Sequence, residues 1–152
     1  SPKNIIIVSS APQIRYPDCY GIDMARMGDL IAFRAAIQLI KDSKQESIIE
    51  NVYKKCVDEN KKEVGKIKNV VKEIYNSFSD EQISLKISSM LKEKDIKAGV
   101  QVIYQSIDNL HIACPDDLGD WYFSGTYPTP GGNKVVNQAF INYFEGSNKR
   151  AY

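Results

Sequence analysis

This sequence is poor in the residues that build disulfide frameworks and metal clusters. Its three cysteines, Cys19, Cys56 and Cys114, lie far apart, are odd in number and form no C-x-x-C pair. That spacing argues against a disulfide scaffold or a zinc ribbon and makes a reducing cytoplasm the expected setting. Histidine is scarcer still: His111 is the only one, so any Ser-His or Cys-His machinery must use it. No apolar run approaches the ~18–20 residues of a membrane span, and no signal-peptide pattern opens the chain. A soluble protein with no membrane partner is expected. Nor is one sign of charge in excess. The 20 Lys and Arg face 19 Asp and Glu, which gives no electrostatic case for nucleic acid. Internal repeats and low-complexity segments are absent as well.

What is present suits a folded domain. At 152 residues the chain can bury a core, and 43% hydrophobic content is too high for disorder. Ile5, Ile6 and Ile7 form an uninterrupted apolar run, the pattern of a strand buried on both faces of a parallel sheet. Leu30 to Ile40 reads as a well-covered helix. Ile48, Ile49, Val52, Tyr53, Cys56 and Val57 recur at amphipathic spacing. Val64, Ile67, Val71, Ile74 and Phe78 step by 3, 4, 3 and 4, the spacing of an interhelical seam. Ser79-Asp-Glu-Gln82 reads as a capping box opening a helix over Ile83, Ile87, Met90 and Leu91. Val100, Val102 and Tyr104 alternate as in a strand, and Ser106 caps a short helix ended by Pro115. Trp121-Tyr-Phe123 is expected as a short aromatic strand and Thr126–Gly132 as a rigid loop. A last amphipathic helix is expected from Asn133. The fold class is α/β, helix-rich, with few strands. Because a buried strand needs neighbours and only two further strands are expected, the chain reads as a piece of a longer protein. The opening Ser-Pro-Lys-Asn, without Met, agrees.

The most informative stretch is Ser10-Ala-Pro-Gln-Ile-Arg-Tyr-Pro-Asp-Cys-Tyr-Gly-Ile-Asp-Met24. It follows the first strand and leads into a helical pattern, where α/β folds place ligand contacts. It closely resembles the S-A-P-x-I-R-(F/Y)-P-x-x-Y-G-I-D-M segment of glutamine phosphoribosylpyrophosphate amidotransferases. A second block, Phe123-Ser-Gly-Thr-Tyr-Pro-Thr129, is similar to the F-(T/S)-G-x-Y-P-T box near that family's C-terminus. Gly99–Leu110 is loosely similar to the strand and helix before the box. Together these cover roughly a third of the chain, and the middle, about 41 to 95, has no match.

The resemblance implies the C-terminal part of a phosphoribosyltransferase-type domain, organised as strand, functional loop and helix (1–41), helical insertion (42–98), C-terminal cap (99–145) and tail (146–152). The parent enzyme catalyses the first committed step of purine synthesis, from glutamine, phosphoribosylpyrophosphate and water to phosphoribosylamine, glutamate and pyrophosphate. Its glutaminase cysteine and its acidic-acidic-Ser phosphate loop have no counterpart here: residue 1 is Ser, and Asp116-Asp117 is followed by Leu and Gly. No catalytic residue is therefore assigned to this chain, and the isolated chain is expected to be inactive. Magnesium is implied for the parent, with ligands outside this chain. Some relatives hold a four-iron cluster through C-x-x-C before the second block. Asp116 and Gly119 stand at those positions, so no iron-sulfur cluster is expected. Partners implied are the glutaminase domain and the phosphate-loop half, with phosphoribosylpyrophosphate and purine nucleotides as parent ligands. The Ile5–Val8 edge is expected to drive self-association.

Individual residues admit two readings. By resemblance, Arg15, Tyr16, Tyr20, Gly21, Ile22 and Asp23 border the domain interface and the ammonia path. Asp23 equally reads as a helix N-cap, Arg15 as a phosphate ligand or a structural ion pair, and Gly21 as a turn former. Tyr16 and Pro17 read as shaping the loop. His111 has no acidic-Ser arrangement suggested by spacing, and nothing marks Cys19 as activated. Trp121 and Tyr122 suit core packing or base stacking. Two alternatives to the enzyme fragment stay open: a non-catalytic helical module docking a partner through the Val64–Phe78 seam, and a purine-nucleotide-sensing domain.

Overall fold

A computed structural model of the chain describes residues 2–20, 24–117 and 119–152. Asn4–Ser9 is the first strand, β1, and Gly99–Tyr104 the second, β2; they pair in parallel, with Asn4 opposite Gly99 through Ser9 opposite Tyr104. Between them the chain makes a long crossover through three helices. These are α1 (Ile31–Asp42), α2 (Ser47–Glu59) and α3 (Asp80–Leu91). After β2 come α4 (Ile107–Ala113), a single helical turn α5 (Trp121–Ser124) and α6 (Pro130–Phe144). The result is a helix-rich α/β arrangement. No helix among the described residues is long and apolar enough to cross a membrane.

The core lies around α1. Ala32, Phe33, Ala35, Ala36, Ile37 and Ile40 are all buried, a stripe wide enough to be covered from several sides. Phe33 meets Phe140 and Tyr143 of α6 edge-on, with centroids 5.9 and 4.8 Å away, the geometry ring quadrupoles favour. Val52 and Cys56 bring α2 against α6, and Ile83 and Ile87 bring α3 against α1 and β2. The Ser79 capping box forms, with Ser79 Oγ accepting from Gln82 N–H and Gln82 Oε1 accepting from Ser79 N–H. Ser106 caps α4 through Asn109 N–H.

Four local expectations need correction. The Val64–Phe78 seam is not a helix. It is an irregular run with short 3-10 turns at Val64–Lys66 and Val70–Ile74. Side chains take the backbone groups a helix would have paired internally. Glu59 Oε2 accepts from Lys68 N–H at 2.9 Å, Asn137 Nδ2 donates to Lys68 C=O at 2.9 Å, and Asn69 Oδ1 accepts from Val71 N–H at 3.1 Å. The apolar spacing still reports burial: Ile67, Val71 and Ile74 are in the core, so these side chains are not free to receive a partner helix. Trp121–Ser124 is helical rather than a strand, because Asp120 C=O accepts from both Phe123 and Ser124 N–H and no strand among the described residues pairs with it. The last helix begins at Pro130, three residues before Asn133, with Thr129 as N-cap and Pro at the first turn. At the other end, α1 opens at Ile31 with Leu30 as N-cap, well beyond Asp23.

The first strand forms as expected, but its burial does not. Ile5, Ile6, Ile7 and Val8 are 37, 58, 44 and 72% exposed. Helix α3 packs on β2, and β1 is left at the open side of a two-stranded sheet.

Candidate functional site

The segment leaving β1 turns sharply at Ser9, whose Oγ donates to Ala11 C=O and accepts from Ala11 N–H. It then runs as ordered loop against α3. Gln13 is buried and works as a two-ended connector. Its Nε2 donates to Asp80 C=O at 2.9 Å and Ser84 Oγ at 2.8 Å. Its Oε1 accepts from Arg15 Nε at 3.1 Å and Arg15 Nη2 at 2.7 Å. Arg15 reaches Asp80 Oδ1 at 2.5 Å and lies over the Tyr75 ring, 5.0 Å from its centroid. Of the two readings of Arg15, the structure shows the ion pair with a carboxylate.

The next residues lock onto the second block and onto Tyr122 just before it. Arg15 and Tyr16 N–H both donate to Tyr122 C=O, at 2.9 and 3.1 Å. Tyr127 donates from its hydroxyl to Pro17 C=O at 2.5 Å, and Tyr122 donates to Asp18 Oδ1 at 3.0 Å. Tyr75 donates to Arg15 C=O at 2.6 Å. Gly125 sits at φ 70°, where a Cβ would stand 2.7 Å from Tyr16 Cζ and 2.8 Å from Asn69 Nδ2. Glycine is demanded there twice, by the left-handed backbone and by the Tyr16 ring. Gly132 is similarly pressed by the Tyr127 ring, 2.7 Å from an added Cβ. The Gly131-Gly132 pair thus opens α6 and packs, rather than forming a loop before a cap.

The electrostatics of this unit are those of a scaffold. Burial pushes Tyr16, Tyr75 and Tyr127 well above the usual phenol range. Burial and the nearby Asp18 carboxylate raise the Cys19 thiol, the opposite of the shift that activates a nucleophilic cysteine. Tyr20, in contrast, is exposed and meets Trp121 edge-on at 6.3 Å. Gly21, Ile22 and Asp23 lie outside the described residues.

Beside Arg15 and Asp80 is an open crevice of about 840 Å³. It runs along β2 toward its carboxyl end, between α3 and the residues after the strand, with Ser84, Leu85, Ile103 and Ser106 among its walls. Crevices at the carboxyl ends of parallel strands are where open α/β sheets bind ligands. Its one cation from the loop, Arg15, is already matched by Asp80.

Sequence spacing gave no hint of one further cluster. His111 Nε2 lies 3.1 Å from Asp120 Oδ2, and Ser124 Oγ donates to Asp120 Oδ1 at 2.7 Å. The carboxylate is in the middle. A nucleophilic triad needs the imidazole between hydroxyl and carboxylate, and here the serine has no contact with His111. The three side chains tie α4 to α5 across the intervening turn. Trp121 and Tyr122 pack within this same corner, their rings 5.6 Å apart.

Among the described residues no group of three or more His, Cys, Asp or Glu side chains gathers to hold a metal ion. Of the two positions matching the cluster cysteines, Asp116 and Gly119, the second donates its N–H to Asp117 Oδ1 at 3.1 Å. Neither known protein families, curated proteins nor solved structures yield a match to this chain.

Proposed function

We propose that this chain is part of an amidophosphoribosyltransferase, the glutamine-dependent enzyme that makes phosphoribosylamine from phosphoribosylpyrophosphate. It contributes the C-terminal part of the phosphoribosyltransferase domain and no catalytic group of its own. One observation carries the reading. The two blocks bearing the family resemblance are about a hundred residues apart in sequence, yet they interlock through Tyr127 to Pro17, a pair 110 positions apart, and Tyr122, the residue just before the second block, bonds Asp18 across 104 positions. Residue types that resemble the family in both blocks are the ones this contact uses: Tyr16, Pro17, Gly125 and Tyr127. Helix-rich α/β architecture with parallel strands joined by a helical crossover supports the same reading. In the parent, the Arg15–Asp23 segment borders the glutaminase domain, and the rigid anchoring of Arg15–Asp18 gives that border a fixed base.

The test has two parts. The reading frame upstream of the Ser1 codon should encode an acidic-acidic-Ser phosphate loop and, further on, a cysteine at the mature N-terminus; a frame with neither overturns the proposal. The polypeptide encoded by that whole frame should form phosphoribosylamine from ammonia, phosphoribosylpyrophosphate and magnesium, whereas the 152-residue chain alone should not. Turnover by the chain alone would show that it carries catalytic groups this reading denies it. In the longer enzyme, Asp23→Asn should lower the glutamine-dependent rate more than the ammonia-dependent rate.

A further inference from the structure

The stretch from about 41 to 95, which the family resemblance does not reach, touches both blocks that carry it. It does so from the short 3-10 turn at Val70–Ile74 and the residues flanking that turn. Asn69 Nδ2 donates to Gly125 C=O at 3.0 Å, and Lys72 Nζ donates to Thr126 Oγ1 at 3.0 Å. Tyr75 donates from its hydroxyl to Arg15 C=O at 2.6 Å. These three residues are spaced by three in sequence. A 3-10 turn repeats every three residues, so side chains at that spacing stand in one row. In an α-helix each would be rotated by about 60° from the last. The irregular geometry of this run therefore aims one row of side chains at both blocks: Asn69 and Lys72 at the second, Tyr75 at the first.

Tyr75 holds the bond with the wider consequence. The peptide joining Arg15 to Tyr16 is fastened at both its polar atoms. Its C=O accepts from Tyr75, and its N–H donates to Tyr122 C=O at 3.1 Å. A planar peptide bonded on both sides has one orientation, and that orientation directs the chain onward through Pro17 to Asp18. Tyr75 also meets the Tyr16 ring edge-on at 5.4 Å and carries the Arg15 guanidinium over its own ring. It is buried, which shields its hydrogen bond from competing water.

We propose that Tyr75 is a positioning residue for the Arg15–Asp18 segment, and that this is what the middle of the chain contributes to the reaction. The inference rests on the family reading, in which that segment leads into the border of the ammonia path. Tyr75 touches no reactant and acts only through the Arg15 carbonyl. Removing its hydroxyl leaves the ring and its packing on Tyr16 in place, but frees the Arg15–Tyr16 peptide to turn. Glutamine and water then still give glutamate and ammonia, but the ammonia escapes to solvent before it meets phosphoribosylpyrophosphate. Ammonia supplied from solution does not use the path and reacts as before.

The experiment uses the polypeptide encoded by the whole reading frame and its Tyr75→Phe and Val52→Ala variants. Phosphoribosylamine formation is measured from glutamine and from ammonia, with glutamate release followed alongside. Val52 is buried where α2 meets α6 and has no part in the loop, so its variant controls for lost stability. For Tyr75→Phe the glutamine-dependent rate should fall at least about tenfold, the order of loss that a small misplacement of a reacting group produces. Its ammonia-dependent rate and its glutamate release should stay unchanged. Val52→Ala should leave the ratio of the two rates where it was. An unaltered ratio in Tyr75→Phe overturns the proposal, as does an equal fall in both rates or a ratio lowered as far by Val52→Ala. An unsubstituted enzyme that forms no phosphoribosylamine from either nitrogen source overturns the family reading, and the proposal with it, and is told apart by that absence.

Discussion

Tyr127 hands its hydroxyl hydrogen to the carbonyl of Pro17 at 2.5 Å, across 110 residues of sequence, and both groups are buried. This bond closes the corner between the loop after β1 and the turn before α6. Removing the hydroxyl leaves the Pro17 carbonyl buried without that donor, while the ring keeps its packing. Tyr127→Phe should therefore cost about 1–2 kcal/mol in urea denaturation, with the denaturant slope unchanged. A loss under a few tenths would mean that water replaces the hydroxyl.

Gly125 and Gly146 share a left-handed backbone, at φ 70° and 66°, but differ in surroundings. An added Cβ at 125 meets the Tyr16 ring, whereas nothing lies within 4 Å at 146. Gly125→Ala should destabilise by roughly 3 kcal/mol or more, combining backbone strain with overpacking, and Gly146→Ala by about 1 kcal/mol. Equal losses in thermal unfolding would mean that the Tyr16 contact contributes nothing.

The Arg15–Asp80 pair is short, but the Asp80 side chain is 73% exposed. Solvent screening should hold the coupling energy of an Arg15→Ala/Asp80→Ala double-mutant cycle below about 1 kcal/mol. Gln13 is the opposite case, buried and hydrogen-bonded at both ends, so Gln13→Ala should cost about 2 kcal/mol. A cycle coupling larger than the Gln13 effect would contradict this ranking.

Alkaline pH should unfold the protein in a defined window. Burial, with Glu73 and Glu59 nearby, raises Cys56 from 9.0 to about 12, and burial raises Tyr16, Tyr75 and Tyr127 as well. The unfolded chain releases these protons first. The Cys56 contribution is complete below pH 9.0 and is lost as pH climbs toward 12, whereas the tyrosine contributions begin to fall only above pH 10.0 and go on falling beyond the Cys56 window. Each such group removes about 1.4 kcal/mol per pH unit inside its window. Phenolate absorbance should rise in two stages, exposed tyrosines first and the buried set together with loss of circular dichroism. A single stage, with the fold intact, would show that the buried phenols titrate freely.

Local signals that agreed with tertiary demand were legible before the structure. The Ser79 capping box, the Ser106 cap, the α2 stripe and the alternation of Val100, Val102 and Tyr104 all formed where they were read. The 64–78 run misled because 3-and-4 spacing records which side chains are buried, and an irregular chain pinned by Glu59 and Asn137 satisfies that spacing as well as a helix does. Trp121–Phe123 misled because aromatic strand propensity is realised only against a neighbouring strand. In the site, Arg15 announced the need for an anion, but Asp80, 65 positions on, was hidden inside its own capping box. Gln13 carried no signal at all, since its two contacts exist only once α3 lies against the loop. The Thr129-Pro130 start of α6 has the residue types of a cap and a first turn, but the glycines after it read as a loop.

Ser88 has a reach beyond its own helix. Its hydroxyl accepts from the Val102 amide and donates to Ser84 C=O, so a single side chain fastens the strand to α3 and α3 to its own preceding turn. Taking that hydroxyl away would strip the buried amide of its acceptor and loosen strand and helix in one stroke.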